Sequence, residues 1–95
     1  MIKGFADKET ARLFSRYFLM RLAPEIQRSA RRKLEVLNVA KSLDDLGVPP
    51  GNRLEKLVGD RKGQHSIRIN ERRRVCFVWG AGDAYEVEVV DYHRE

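Results

Sequence analysis

The sequence holds little of what a metal or redox centre needs. Its one cysteine, Cys76, has no second thiol for an internal disulfide, and one cysteine with two histidines does not supply a transition-metal cluster. Within an apolar run, such a lone thiol is by default buried and inert. No glycine-rich phosphate loop of the P-loop or dinucleotide type occurs, and no serine sits in a nucleophile elbow. No apolar stretch approaches the length that spans a bilayer. Met1-Ile2-Lys3-Gly4-Phe5 is not followed by the apolar run of a signal peptide. Repeats and low-complexity tracts are missing as well. The expectation is a cytoplasmic protein with no cofactor, no metal and no membrane partner.

What is present points to one small folded unit. A chain of 95 residues has room for a single hydrophobic core, so residues 1–95 are read as one domain. Hydrophobic residues make up 42%, which is too many for a disordered chain and enough for a packed interior. Lys and Arg total 19 against 14 acids, a formal charge of +5, and the excess is uneven. Arginines gather at Arg28, Arg31 and Arg32, at Arg61, and at Arg68, Arg72, Arg73 and Arg74, whereas 83–91 is acidic. Uneven basic charge suits a polyanionic ligand, and the planar fork of arginine suits phosphate. A solubilising surface accounts for the same charges equally well.

Periodicity predicts an α+β domain. Residues 2–5 read as a short opening strand. Asp7 is a helix N-cap, and Ala11, Leu13, Phe14, Tyr17 and Phe18 form an apolar stripe that carries a first helix to near Arg21. Pro24 suits the first turn of a second helix, buried along Ile26, Ala30, Leu34, Leu37 and Ala40. Residues 44–52 read as a loop. Strands are predicted at roughly 53–58, 64–70, 73–80 and 84–91, joined by turns at 59–63, 70–72 and 80–83. The unbroken apolar run Val75-Cys76-Phe77-Val78-Trp79 marks a central strand. Its neighbour alternates, with His65, Ile67 and Ile69 on one side and Ser66, Arg68 and Asn70 on the other. His65 reads as a satisfied, half-buried core histidine.

Metal-free phosphodiester chemistry needs a group that accepts the ribose 2′-hydroxyl proton, one that protonates the leaving 5′-oxygen, and a cation on the phosphate. Asp91, Tyr92 and His93 close the last strand, with Asp91 and His93 on one face and Tyr92 on the other. His93 titrates near neutrality, Tyr92 offers a stacking ring, and Asp91 can orient an imidazole. On residues alone, such a pair at a terminus is more often surface decoration. Arg68 and Arg74 fall close across a hairpin, and Arg74 is the better candidate for the scissile phosphate. Its alternative role is a sheet-edge arginine that deters aggregation. Arg72 and Arg73, at the turn, suit general contacts with an RNA backbone.

These residues carry a family resemblance. Met1-Ile2-Lys3-Gly4-Phe5, the stretch Pro50-Gly51-Asn52-Arg53-Leu54-Glu55-Lys56-Leu57, the block from Gly59 to Asn70, Arg74-Val75-Cys76-Phe77-Val78-Trp79 and the terminal Asp91-Tyr92-His93 together resemble HigB-type toxins of the RelE/ParE toxin–antitoxin superfamily. The resemblance covers nearly the whole chain. It implies a RelE-like β-α-α-β-β-β-β fold with two N-terminal helices packed on a mainly antiparallel sheet. It implies an endoribonuclease that cuts mRNA in the ribosomal A site by attack of the 2′-hydroxyl on the adjacent phosphate. It also implies a HigA-like helix-turn-helix antitoxin, with operator DNA contacted only through that antitoxin. The implied catalytic residues are Asp91, Tyr92, His93, Arg74 and Glu55, and the implied RNA contacts are Arg68, Arg72, Arg73, Arg61 and Lys56. Two positions depart from the pattern: Glu55 stands where a histidine is expected, and Val58 where a lysine is common. Glu55 can serve as a base but never as a cation. A ParE-like, non-catalytic inhibitor of DNA gyrase is the alternative within the superfamily, and a non-catalytic RNA-binding protein is a third reading.

Overall fold

The computed structural model describes residues 1–20 and 22–91. Three helices, α1 (Lys8–Phe14), α2 (Pro24–Val39) and α3 (Leu43–Gly47), precede four strands, β1 (Glu55–Lys56), β2 (His65–Arg68), β3 (Arg73–Gly80) and β4 (Asp83–Asp91). The strands form an antiparallel meander in the order β1-β2-β3-β4. This is the expected α+β fold, with helices on one face of the sheet. Leu13, Ala30, Leu34, Leu37 and Leu46 from the helical side meet Ile67, Val75, Phe77, Ala84 and Val87 from the sheet. Burying side chains of this kind stabilises a fold by about 1.5–3 kcal/mol each.

The opening strand exists only as two isolated parallel bridges, Ile2 to Ala84 and Phe5 to Val87. The cause lies in β4, where Glu86 takes φ +52° and shifts the register opposite Cys76–Val78. A bulge of this sort breaks the ladder that a continuous strand would need.

The first helix stops at Phe14 instead of running to near Arg21. Arg16 adopts φ 71°, Arg16 N–H bonds Leu13 O at 3.1 Å, and Tyr17 N–H bonds Arg12 O at 2.9 Å. That is the bonding of a Schellman stop. Tyr17 and Phe18, read as core, are 62% and 60% exposed.

Gln27 holds the following loop. Its side chain accepts from Leu19 N–H (2.9 Å) and donates to Leu19 O (2.7 Å) and Leu22 O (2.8 Å). It is buried to 1% exposure, while Ile26, expected in the core, is only half-buried.

The segment expected as a loop at 44–52 contains α3, begun by a capping box in which Ser42 and Asp45 bond each other's backbone N–H. Asn52 then closes a short turn, donating to Leu46 O at 3.1 Å and accepting from Lys33 Nζ at 2.5 Å. Burial and the charge of Arg32 hold the Lys33 ammonium below its ordinary pKa. The strand expected at 53–58 shrinks to Glu55–Lys56, because Arg53 turns left-handed at φ 46°.

The β2–β3 and β3–β4 turns follow their sequences. Asn70 Oδ1 accepts from Arg72 N–H and Arg73 N–H, both at 2.8 Å, which sets the β2–β3 turn. Ala81 and Gly82 both have positive φ, 53° and 82°, the requirement of a two-residue turn of the primed type.

Candidate active face of the sheet

The pleat sorts the candidate residues onto two faces. Arg73, Val75 and Phe77 share the helix-covered face of β3, and Arg74 and Cys76 share the opposite one. Register places Arg74 directly across from Arg68 on β2 and from Val90 on β4. Glu55 is across from Ser66, and Ser66 from Cys76. The open face therefore brings together Glu55, Ser66, Arg68 and Arg74.

Arg74 is the best-held side chain of this group. Its Nε donates to Ser66 Oγ at 2.6 Å, and its Nη2 donates to Arg53 O. Glu55 Oε1 lies 3.9 Å from the same Nη2. The Arg74 side chain is 11% exposed and that of Glu55 58%. The guanidinium is thus aimed before any ligand arrives, with a solvent-facing carboxylate beside it. Arg68 has no hydrogen-bond or ion-pair partner among the described residues. Like charges directly opposite across two strands repel, and an anion bound between them relieves that repulsion. Two arginines directly across from each other on adjacent strands, with a carboxylate beside one of them, can bind a phosphate and accept a proton next to it.

Ser66 and the Arg53 carbonyl, which orient Arg74, are the residues that sequence reasoning missed. Ser66 carried a signal, since it alternates with the apolar positions of β2. The left-handed turn at Arg53 carried none.

Of the other candidates, Arg61 shares this face through Glu88, which is across from Cys76, and the rest stand apart. Asp91 is across from Arg73, on the helix-covered face. Arg72 Nη2 donates to Asp91 Oδ2 at 3.3 Å, and Arg73 Nη2 lies 3.8 Å from it. Asp91 and Arg73 line a small cavity with Asp7, Thr10 and Leu13 of the α1 region. The Asp91 carboxylate and the Arg74 guanidinium accordingly lie on opposite faces. Arg61 donates to Glu88 Oε1 at 3.3 Å and to Gln64 Oε1 at 3.1 Å, so its charge is already engaged. Lys56 is exposed and paired with His65, on the face opposite Glu55. Tyr92 and His93 lie outside the described residues.

His65 is half-buried and stacks on Phe77, with ring centroids 6.1 Å apart. It is not satisfied as expected: Nδ1 is buried and has no partner among the described residues. Burial first, then the Lys56 charge, push its pKa below the ordinary histidine value.

The model of the RelE-like HigB toxin family of type II toxin–antitoxin systems matches residues 3–93. The chain belongs to this HigB-like family. It is 42% identical over 85 residues to Toxin HigB-1 of Vibrio cholerae serotype O1, covering 88% of this chain and 90% of that protein. It is 29% identical over 93 residues to Endoribonuclease HigB of Proteus vulgaris, covering 98% of this chain and all of that protein. As a type II HigB-like toxin it has an antitoxin as partner. Among the described residues no helix is long and apolar enough to cross a membrane.

Proposed function

We propose that this HigB-like toxin is an endoribonuclease that cuts mRNA on the ribosome, with the open face of the sheet as its phosphate site. The observation that carries the reading is the pairing of Arg68 with Arg74, the latter held by Ser66 and Arg53 next to Glu55. The name of the Proteus vulgaris relative, an endoribonuclease, agrees with it. In the reaction, Glu55 takes the proton of the ribose 2′-hydroxyl, and the 2′-oxygen bonds to the adjacent phosphorus. Arg74 and Arg68 stabilise the charge that builds on the phosphate oxygens. The bond to the 5′-oxygen breaks, and His93 gives that oxygen its proton, leaving a cyclic phosphate; the reading requires His93 to reach the face opposite the one Asp91 occupies. Tyr92 stacks on the base at the cut, and Asp91, held by Arg72 and Arg73, fixes the end of β4 from which both residues follow. The antitoxin in this reading is a HigA-like helix-turn-helix protein that carries the toxin to operator DNA, and the toxin acts in the ribosomal A site.

Induction of the wild type and of His93→Ala in growing cells tests the proposal. The wild type is expected to stop growth and fragment mRNA, and the variant to do neither. Full toxicity of His93→Ala removes His93 from the chemistry. Intact mRNA with broken DNA under the wild type points instead to gyrase inhibition.

A further inference from the structure

A second concentration of arginine lies away from the sheet. Arg16, just past the end of α1, and Arg28, Arg31 and Arg32 of α2 line an open groove with Phe18 and, as its one carboxylate among the described residues, Glu35. Arg31 is fixed in it, donating through Nε to Leu13 O at 3.0 Å and through Nη2 to Tyr17 O at 2.8 Å. Those bonds tie α2 to the stop at the end of α1, so one guanidinium both braces that stop and builds the wall. Arg16, Arg28 and Arg32 are exposed and have no hydrogen-bond or ion-pair partner among the described residues. Phe18 is 60% exposed among them.

We infer that this groove is a second RNA-backbone site, in which arginines hold phosphates and Phe18 stacks on an unpaired base. Three features favour RNA. The cations that line it are all arginine, whose planar fork matches phosphate. Arg28 and Arg32 are four residues apart on α2 and so present successive charges along one edge. An exposed ring set among cations is the usual platform for a single-stranded base. The loop that follows Phe18 runs from the groove toward the far end of the sheet. It supplies Leu19 and Leu22 to the cavity that holds Arg73 and Asp91, next to the β2–β3 turn. The inference extends the RNA reading of the sheet face but depends on different side chains, so the two can fail separately.

The test measures binding of a fluorescent single-stranded RNA 12-mer to the full chain over a range of salt. The proteins compared are the wild type, Arg28→Gln/Arg32→Gln, Phe18→Ala, and the sheet variant Arg68→Gln. Circular dichroism of each variant establishes that it is folded, and among the described residues the substituted arginines have no hydrogen-bond or ion-pair partners whose loss would unfold it. Losing two phosphate contacts to a single strand lowers the slope of log K against log [salt] by about 1.4. The double variant is expected to show that fall, and Phe18→Ala to weaken binding about 5-fold or more, the equivalent of about 1 kcal/mol of stacking, with its slope unchanged. A double variant with wild-type slope and affinity overturns the inference, while loss in Arg68→Gln alone leaves the sheet reading in place. Loss in the double variant alone supports the groove and sinks the sheet reading. Wild-type RNA binding by the double variant, together with lost binding of a poly-glutamate peptide, assigns the groove to an acidic protein and also overturns it.

Discussion

Replacing either member of the cross-strand arginine pair should have opposite consequences for stability. Arg74 is 11% exposed and donates to Ser66 Oγ at 2.6 Å and to Arg53 O. Hydrogen bonds from a charged donor contribute about 1.5–3 kcal/mol each, and Arg74→Ala leaves both acceptors without their donor. A net loss of about 2–4 kcal/mol follows, equivalent to a fall in Tm on the order of 10–20 °C for a domain of this size. Among the described residues Arg68 has no such partners, and it is directly across from Arg74, so Arg68→Ala removes a repulsion of about 0.2–1 kcal/mol. That variant should be as stable as the wild type or slightly more so. Urea unfolding followed by circular dichroism reads both, with the slope m held as a check that the unfolded state is unchanged. If Arg74→Ala unfolds within about 0.5 kcal/mol of the wild type, a value typical of ordinary surface substitutions, the guanidinium is not held as described. If Arg68→Ala loses more than about 1 kcal/mol, Arg68 has a stabilising role that like-charge pairing does not predict.

Three further outcomes are expected. His65 has a folded pKa below its unfolded value of about 6.5, so the unfolded chain takes up the proton first. Its contribution is fully present above that value and is lost as pH falls through it toward the lowered folded pKa; His65→Gln should flatten the stability profile in this window, and an unchanged acid limb contradicts the assignment. Gln27→Ala should cost about 2 kcal/mol by stranding the Leu19 and Leu22 backbone, with faster hydrogen exchange at the Leu19 amide as its local sign. In cleavage assays Arg74→Ala should lose far more activity than Arg72→Ala, whose exposed bond to Asp91 only steadies a strand end; equal losses would reduce both to general electrostatics.

Much of the fold was legible because its signals are local. Alternation in β2, the apolar run of β3 and the side chain of Asn70 each specify their own geometry. The pairing of Arg68 with Arg74 followed from the hairpin alone. What escaped was decided by tertiary partners. The stripe through Tyr17 and Phe18 has helical spacing, yet Arg31 and Gln27, in the first half of α2, capture the backbone that would have continued the helix. The capping box at Ser42 was readable but was overshadowed by the glycine and prolines that follow it. Alternation predicted that Asp91 and Tyr92 point to opposite faces. It could not say which of them joins Arg74, because that depends on the register of β4 with β3. The register sets Asp91 with Arg73, on the face opposite Arg74.

The most direct test of the central proposal is mapping of mRNA 5′ ends in a purified translation reaction, with and without ribosomes, for the wild type and Arg74→Lys. A lysine keeps the charge but cannot donate to Ser66 and Arg53 while offering a fork to phosphate. The account predicts new 5′ ends within the reading frame only when the wild type and translating ribosomes are both present, and a large loss with Arg74→Lys. Uncut mRNA with the wild type, or undiminished cutting by Arg74→Lys, would contradict it.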